Sequence, residues 1–128
     1  MLLAGAIGLA VPSLAGATLR GFQLPSRNIG CLYATSPTYL RCDIRSGLNP
    51  EPRRRCELDW TGIAMGPTGR AEPECAGDTV MLPHARVLRY GQTWQGGAFS
   101  CMSRRTGLTC RNRSRHGFFL SRTSWRVF

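Results

Sequence analysis

The sequence contains no lysine: all 17 basic residues are arginine, set against seven carboxylates, for a net charge of +10. It has only two histidines and no Cys-x-x-Cys pair, which excludes zinc sites of the ribbon or finger type. No stretch of ten or more residues places apolar side chains at the 3.6 spacing of a helix, so a helical fold is excluded as well. No apolar run reaches the roughly 20 residues that cross a bilayer core, and no Gly-x-Ser-x-Gly turn presents a hydrolase nucleophile. Large aliphatic residues are scarce too. After Ala17, Leu, Ile, Val and Phe together number 21, about 19 %, the edge at which a strongly charged chain tends toward disorder. With 128 residues there is room for one domain, and something besides core size must hold it folded.

Six cysteines, at 31, 42, 56, 75, 101 and 110, are the candidates. Their even count and wide spacing read as three disulfides, which persist in an oxidising compartment. Six cysteines admit many connectivities and the sequence does not select one; the expectation is the nearest-neighbour set, Cys31–Cys42, Cys56–Cys75 and Cys101–Cys110. The N-terminus agrees with export. Residues 1–17 are uncharged, with an apolar run from Leu2 to Val11, a break at Pro12, and small residues at Ala15 and Ala17. This reads as a signal peptide cleaved before Thr18, although no basic residue precedes the apolar run. The mature chain would be residues 18–128, secreted or held in the cell envelope, with no transmembrane segment.

From Thr18 onward, short runs of period 2 alternate with Gly, Pro, Asn and Ser, the pattern of an all-β fold. Eight strands are expected: Gly21–Leu24, Ile29–Ala34, Tyr39–Ile44, Gly62–Met65, Ala85–Tyr90, Ala98–Met102, Gly107–Arg111 and Phe118–Val127. They suit a small disulfide-stapled sandwich or a partly open barrel. An internal echo stands out: Ile29-Gly30-Cys31 with Leu40-Arg41-Cys42, and Phe99-Ser100-Cys101 with Leu108-Thr109-Cys110. Each reads as a hairpin whose facing cysteines come within bridging reach. The longest irregular stretch is Ser46 to Asp59, and long loops in compact domains are often the functional ones.

The ordered series Pro25–Cys31, Leu40–Ile44, Asp59-Trp60, Cys75–Thr79, Leu88–Gly91, Phe99–Cys101, Gly107–Asn112 and His116–Arg122, closed by Phe128, resembles a family of small secreted proteins of high-GC bacteria, domain of unknown function 6636. The series spans nearly all of the mature chain. Two positions depart from the family pattern, Arg115 where Gly is expected and Trp125 where Tyr is expected, while Arg53–Arg55 and His84 look particular to this chain. The resemblance implies secretion and an all-β, disulfide-bonded domain. It brings no catalytic residue and no cofactor.

The residues themselves suggest two kinds of chemistry. Arg53, Arg54, Arg55, Arg104, Arg105 and Arg113 are candidate anion contacts, because guanidinium groups capture phosphate, sulfate or carboxylate in planar, bidentate fashion. The competing reading is that these are solvated turns in a GC-rich coding background. An enzyme would have to use His116 as acid or base with Glu57 or Asp78, as in a small hydrolase or ribonuclease, or a Ser121–His116–Asp78 triad; no spacing shows that these groups converge. His116 is better read as a turn residue whose ring bonds a carbonyl, and Asp78 as a turn former. A calcium site from Asp78, Glu72 and Glu74 lacks clustered carboxylates, so no metal is expected. Trp125 is expected in the core and Trp94, between glycines, at the surface. Asn112-Arg113-Ser114 fits the N-glycosylation pattern. The expectation is a non-catalytic binding or structural module, without cofactor, whose partner is an anionic envelope polymer or another extracellular protein and not a specific nucleic acid sequence.

Overall fold

Alternation, turn residues and cysteine positions are realised as two sheets in a computed structural model that describes residues 18–128; the expected signal segment, residues 1–17, lies outside them. The strands are β1 (Leu19–Gln23), β2 (Ile29–Ala34), β3 (Tyr39–Ile44), β4 (Asp59–Met65), β5 (Glu72–Ala76), β6 (Arg86–Val87), β7 (Thr93–Gly96), β8 (Phe99–Arg104), β9 (Gly107–Arg111), β10 (Gly117–Leu120) and β11 (Trp125–Val127). Sheet A has the order β5-β4-β3-β2-β1-β6 and sheet B the order β11-β10-β9-β8-β7. Every pairing is antiparallel except β1 with β6. The architecture is all-β and sandwich-like, and no helix forms among the described residues.

The core forms where the two inner faces meet. Across sheet A, Phe22, Cys31, Cys42 and Ile63 stand opposite one another on β1 to β4. Across sheet B the same row is Trp94, Cys101, Cys110 and Phe118 on β7 to β10. All eight are buried. The echo between the two cysteine hairpins therefore extends to four strands on each side: aromatic, Cys, Cys, apolar. Disulfides join Cys31 to Cys42, Cys56 to Cys75 and Cys101 to Cys110, neighbours in sequence, and no cysteine is free.

Trp94 is not the surface residue that its flanking glycines suggest. It is 7 % exposed, with its ring centroid 4.9 Å from Phe22 and 5.8 Å from Tyr33. Strand alternation aims it inward between exposed Thr93 and Gln95, and Gly96 gives its ring room, since a Cβ there would meet the Trp94 indole. In a chain poor in aliphatics, a tryptophan supplies burial that several smaller residues would otherwise provide. Trp125 is half-buried against the same core, and its indole N–H donates to the Pro50 carbonyl at 2.6 Å.

The strand count exceeds expectation for local reasons. Residues 118–127 form a hairpin in place of one strand. The Ser121 hydroxyl donates to the Ser124 carbonyl and accepts from the Ser124 N–H, closing a tight turn. β5 carries Pro73 and two glutamates, which hide it from any alternation pattern; it is an edge strand, where proline is tolerated. Of Ala85–Tyr90 only Arg86 and Val87 pair.

A strap crosses the outer face of sheet A before the chain enters β6. The outer row beneath it is Gln23, Gly30, Asp43 and Gly62. Asp43 accepts from the Thr79 hydroxyl and the Val80 N–H, Met81 lies over Gly30, and the Gln23 amide donates to the Pro83 and Ala85 carbonyls. The seat is a trough: small at Gly30, polar on either side. A Cβ at Gly62 would fall onto the Cys42 carbonyl oxygen, so the close approach of β4 to β3 requires glycine there.

One inner-face position breaks the pattern. Ser103 on β8 is fully buried, and its hydroxyl has no hydrogen-bond partner among the described residues. Burying an unpaired hydroxyl costs about 1–3 kcal/mol. Ser103→Ala is expected to raise stability by about 1 kcal/mol in urea unfolding; a lowered midpoint would show that the hydroxyl is bonded after all.

Candidate anion-binding cleft

Three turns meet at one end of the sandwich: the β1–β2 turn with Ser26, the β8–β9 tip with Arg104, Arg105 and Thr106, and the β10–β11 turn from Ser121 to Ser124. Between them lies a cleft of about 500 Å³ whose lining includes Arg104, Arg105 and Arg122, the hydroxyls of Ser26, Thr106 and Thr123, and the rings of Tyr90 and Phe119. No carboxylate lines it. The three arginines are exposed, and the Arg105 guanidinium sits 5.4 Å from the Tyr90 ring centroid, a stacking that holds the cation in place without using its N–H donors. Guanidinium forks beside hydroxyl donors suit a multiply charged oxyanion.

The arginines singled out from the sequence do not share one surface. Arg104 and Arg105 stand at one end of β9 and Arg113 beyond its other end, where the Arg113 N–H donates to the Pro67 carbonyl. Arg53, Arg54 and Arg55 are exposed on the long loop between β3 and β4. Arg53 and Arg54 border an apolar groove with Pro50, Pro52, Pro73, Trp125 and Val127. Arg55 pairs with Glu57 at 3.4 Å, both side chains fully in solvent, and Arg54 lies over Trp60. Arg122, which sequence clustering passes over because it stands alone, is brought to the cleft by the Ser121–Ser124 turn. A lone arginine beside a tight turn at a strand end was the available clue.

The residues of the enzymatic readings stay apart. His116 and Ser121 flank β10 at opposite ends, roughly 16 Å apart at about 3.3 Å per residue, and the Ser121 hydroxyl is held by its own turn. Asp78 is engaged across the outside of sheet A by Arg41, whose Nη1 donates to its Oδ1 at 3.0 Å, and Glu57 pairs with Arg55. His116 does occupy a turn, but its contact there is through the backbone: its N–H donates to Asn112 Oδ1. The Asn112 side chain is itself buried and donates to the Gly66 and Gly69 carbonyls, so the amide that a glycan would need is already committed. No group of three His, Cys, Asp or Glu side chains gathers among the described residues.

Arg41 is structural. It is 8 % exposed on the outer face of β3, and its Nε and Nη2 grip the two oxygens of Asp43, itself 2 % exposed, at 2.9 and 3.0 Å. Burial works against its charge, but the hydrogen bonds and attraction of Asp43, then of Asp78, outweigh that and hold the guanidinium above its ordinary value.

With the fold and the cleft in place, the family can be stated. The family described as "Family of unknown function (DUF6636)" matches residues 2–128. The chain belongs to DUF6636. No curated protein and no solved structure matches it. The cysteine hairpins and closing Phe128 of this DUF6636 member sit in the sandwich and its edge, and the cleft residues Ser26, Tyr90, Phe119 and Arg122 fall within the same matched span. Membership in DUF6636, a family of unknown function, assigns no chemistry, which has to be argued from the residues displayed on the fold.

Proposed function

We propose that the protein is a secreted or envelope-held, non-catalytic module that binds an anionic polymer through the cleft at Arg104, Arg105 and Arg122. The observation that carries this reading is three arginines around one concavity with hydroxyl donors, a tyrosine ring stacked on one of them, and no carboxylate. The charge balance supports it: after Asp78 the chain has no Asp or Glu, so the whole of sheet B and its turns present uncompensated positive charge to a polyanion. Extracytoplasmic placement is supported by three disulfides and by the apolar, uncharged N-terminal segment.

Heparin, a sulfated polymer, serves as the probe. The protein is expected to elute only at elevated salt, with retention lost as counterions are restored. Replacing Arg104, Arg105 and Arg122 together by Glu should move elution to low salt, while Arg53, Arg54 and Arg55 replaced by Glu, the same change in net charge, should shift it much less. Equal shifts from the two triple variants would reduce the interaction to net charge and overturn the cleft.

A further inference from the structure

Beyond the cleft, the two halves of the fold invite a comparison of their outer faces. Under the strap, sheet A presents the row Gln23, Gly30, Asp43, Gly62. The matching row on sheet B, one position from the buried Trp94–Phe118 row, is Gln95, Ser100, Arg111, Gly117. The layout is the same along four neighbouring strands: an amide, a small residue, a charge, and a glycine that the fourth strand needs, since a Cβ at Gly117 would strike the Cys110 carbonyl oxygen as one at Gly62 strikes that of Cys42. Only the sign of the charge differs.

Sheet A's row is occupied. Its amide donates to strap carbonyls, its small residue receives a strap side chain, and its carboxylate accepts a strap N–H. Among the described residues, no segment crosses sheet B's row except at Gly117, which pairs with Phe128. Gln95 and Arg111 are exposed, and Ser100, Met102, Thr109 and Phe119 are half-exposed behind them. Arg111 lies 5.1 Å from the Phe128 ring centroid and Arg126 lies 5.5 Å from that of Phe119, and neither has an acidic partner among the described residues.

We propose that the outer face of sheet B is a docking surface for an extended, acidic segment of another polypeptide, lying across the strands as the strap lies across sheet A. The Gln95 amide would donate to a backbone carbonyl of that segment, as Gln23 does to the strap. Half-exposed Ser100 and Met102 would contact a side chain of the segment, and Arg111 and Arg126 would take its carboxylates. The inverted charge sets the choice of occupant: where Asp43 accepts the strap's N–H groups, Arg111 needs an acceptor.

The test is a titration with a synthetic peptide of alternating Glu and Val, followed by NMR on the intact disulfide-bonded protein. Shifts should concentrate at Ser100, Met102, Thr109 and Gln95. Arg111→Glu with Arg126→Glu should weaken binding by roughly tenfold or more. Thr109→Glu, which keeps both arginines and places a like charge in the path of the peptide, should do likewise, while Arg104→Glu with Arg122→Glu in the cleft should leave these shifts in place. Shifts confined to the cleft, shifts spread evenly over all arginines, an unweakened Thr109→Glu variant, or tighter binding of polyphosphate to this same face would each overturn the proposal. None of those outcomes depends on whether heparin binds the cleft.

Discussion

Reduction of all three disulfides is expected to unfold the protein at room temperature, with loss of the β signal in circular dichroism and of the cooperative thermal transition. The loops closed are short, with sequence separations of 11, 19 and 9 residues, each worth about 2–4 kcal/mol in the chain-entropy account. Together that approaches the whole 5–15 kcal/mol of a small domain's stability. Two of the three bridges also occupy the middle of the core, so reduced thiols there would leave packing to a chain short of aliphatic side chains. Access orders the steps. Cys75 is exposed and Cys56 half-buried, while Cys31, Cys42, Cys101 and Cys110 are sealed. Mild reductant should therefore open Cys56–Cys75 first with the sandwich intact, and the other two only as the protein unfolds. A fully reduced form with an unchanged melting transition would refute the argument.

Asp43→Ala should be among the most damaging substitutions of a polar residue, at about 3–5 kcal/mol in urea unfolding. The change strips Arg41 of its bidentate partner while the guanidinium remains covered, and it leaves the Thr79 hydroxyl and the Val80 N–H without their acceptor. Asp78, whose side chain is 77 % exposed, cannot substitute for it, because a pair open to solvent contributes at most about 1 kcal/mol. Asp78→Ala should accordingly cost less than about 1 kcal/mol. The strap supplies a second readout: in Asp43→Ala, hydrogen exchange at Val80 should quicken well before that at Cys42. Equal effects of the two alanine variants would place the strength of the cluster elsewhere.

The fold class was legible because cysteine and apolar positions alternate cleanly in β2, β3 and β9, and those strands keep the bounds their alternation suggests. β5 and β7 were not, for opposite reasons: the Glu-Pro-Glu run of β5 has no apolar stripe, and β7 has a single inward residue, Trp94, whose glycine neighbours mimic a loop. The strap could not be read at all. Its contacts join residues some 36 to 62 apart in sequence, and Thr79, Met81 and Gln23 carry no local mark of meeting. The same holds for the cleft, where Arg104 and Arg105 are visible as a pair while Arg122, Ser26 and Tyr90 arrive from other turns.

The hairpin placement of two bridges also bears on the order in which the chain can fold. Cys31–Cys42 and Cys101–Cys110 each join adjacent strands, and Cys56–Cys75 spans one further excursion that is complete before β6 begins. A chain delivered N-terminus first can close each bridge as soon as its own segment emerges, and Cys31–Cys42 and Cys56–Cys75 need nothing from β6 onward. Oxidation of such a chain has few wrong partners within reach at any moment, so correct pairing should depend little on disulfide isomerases.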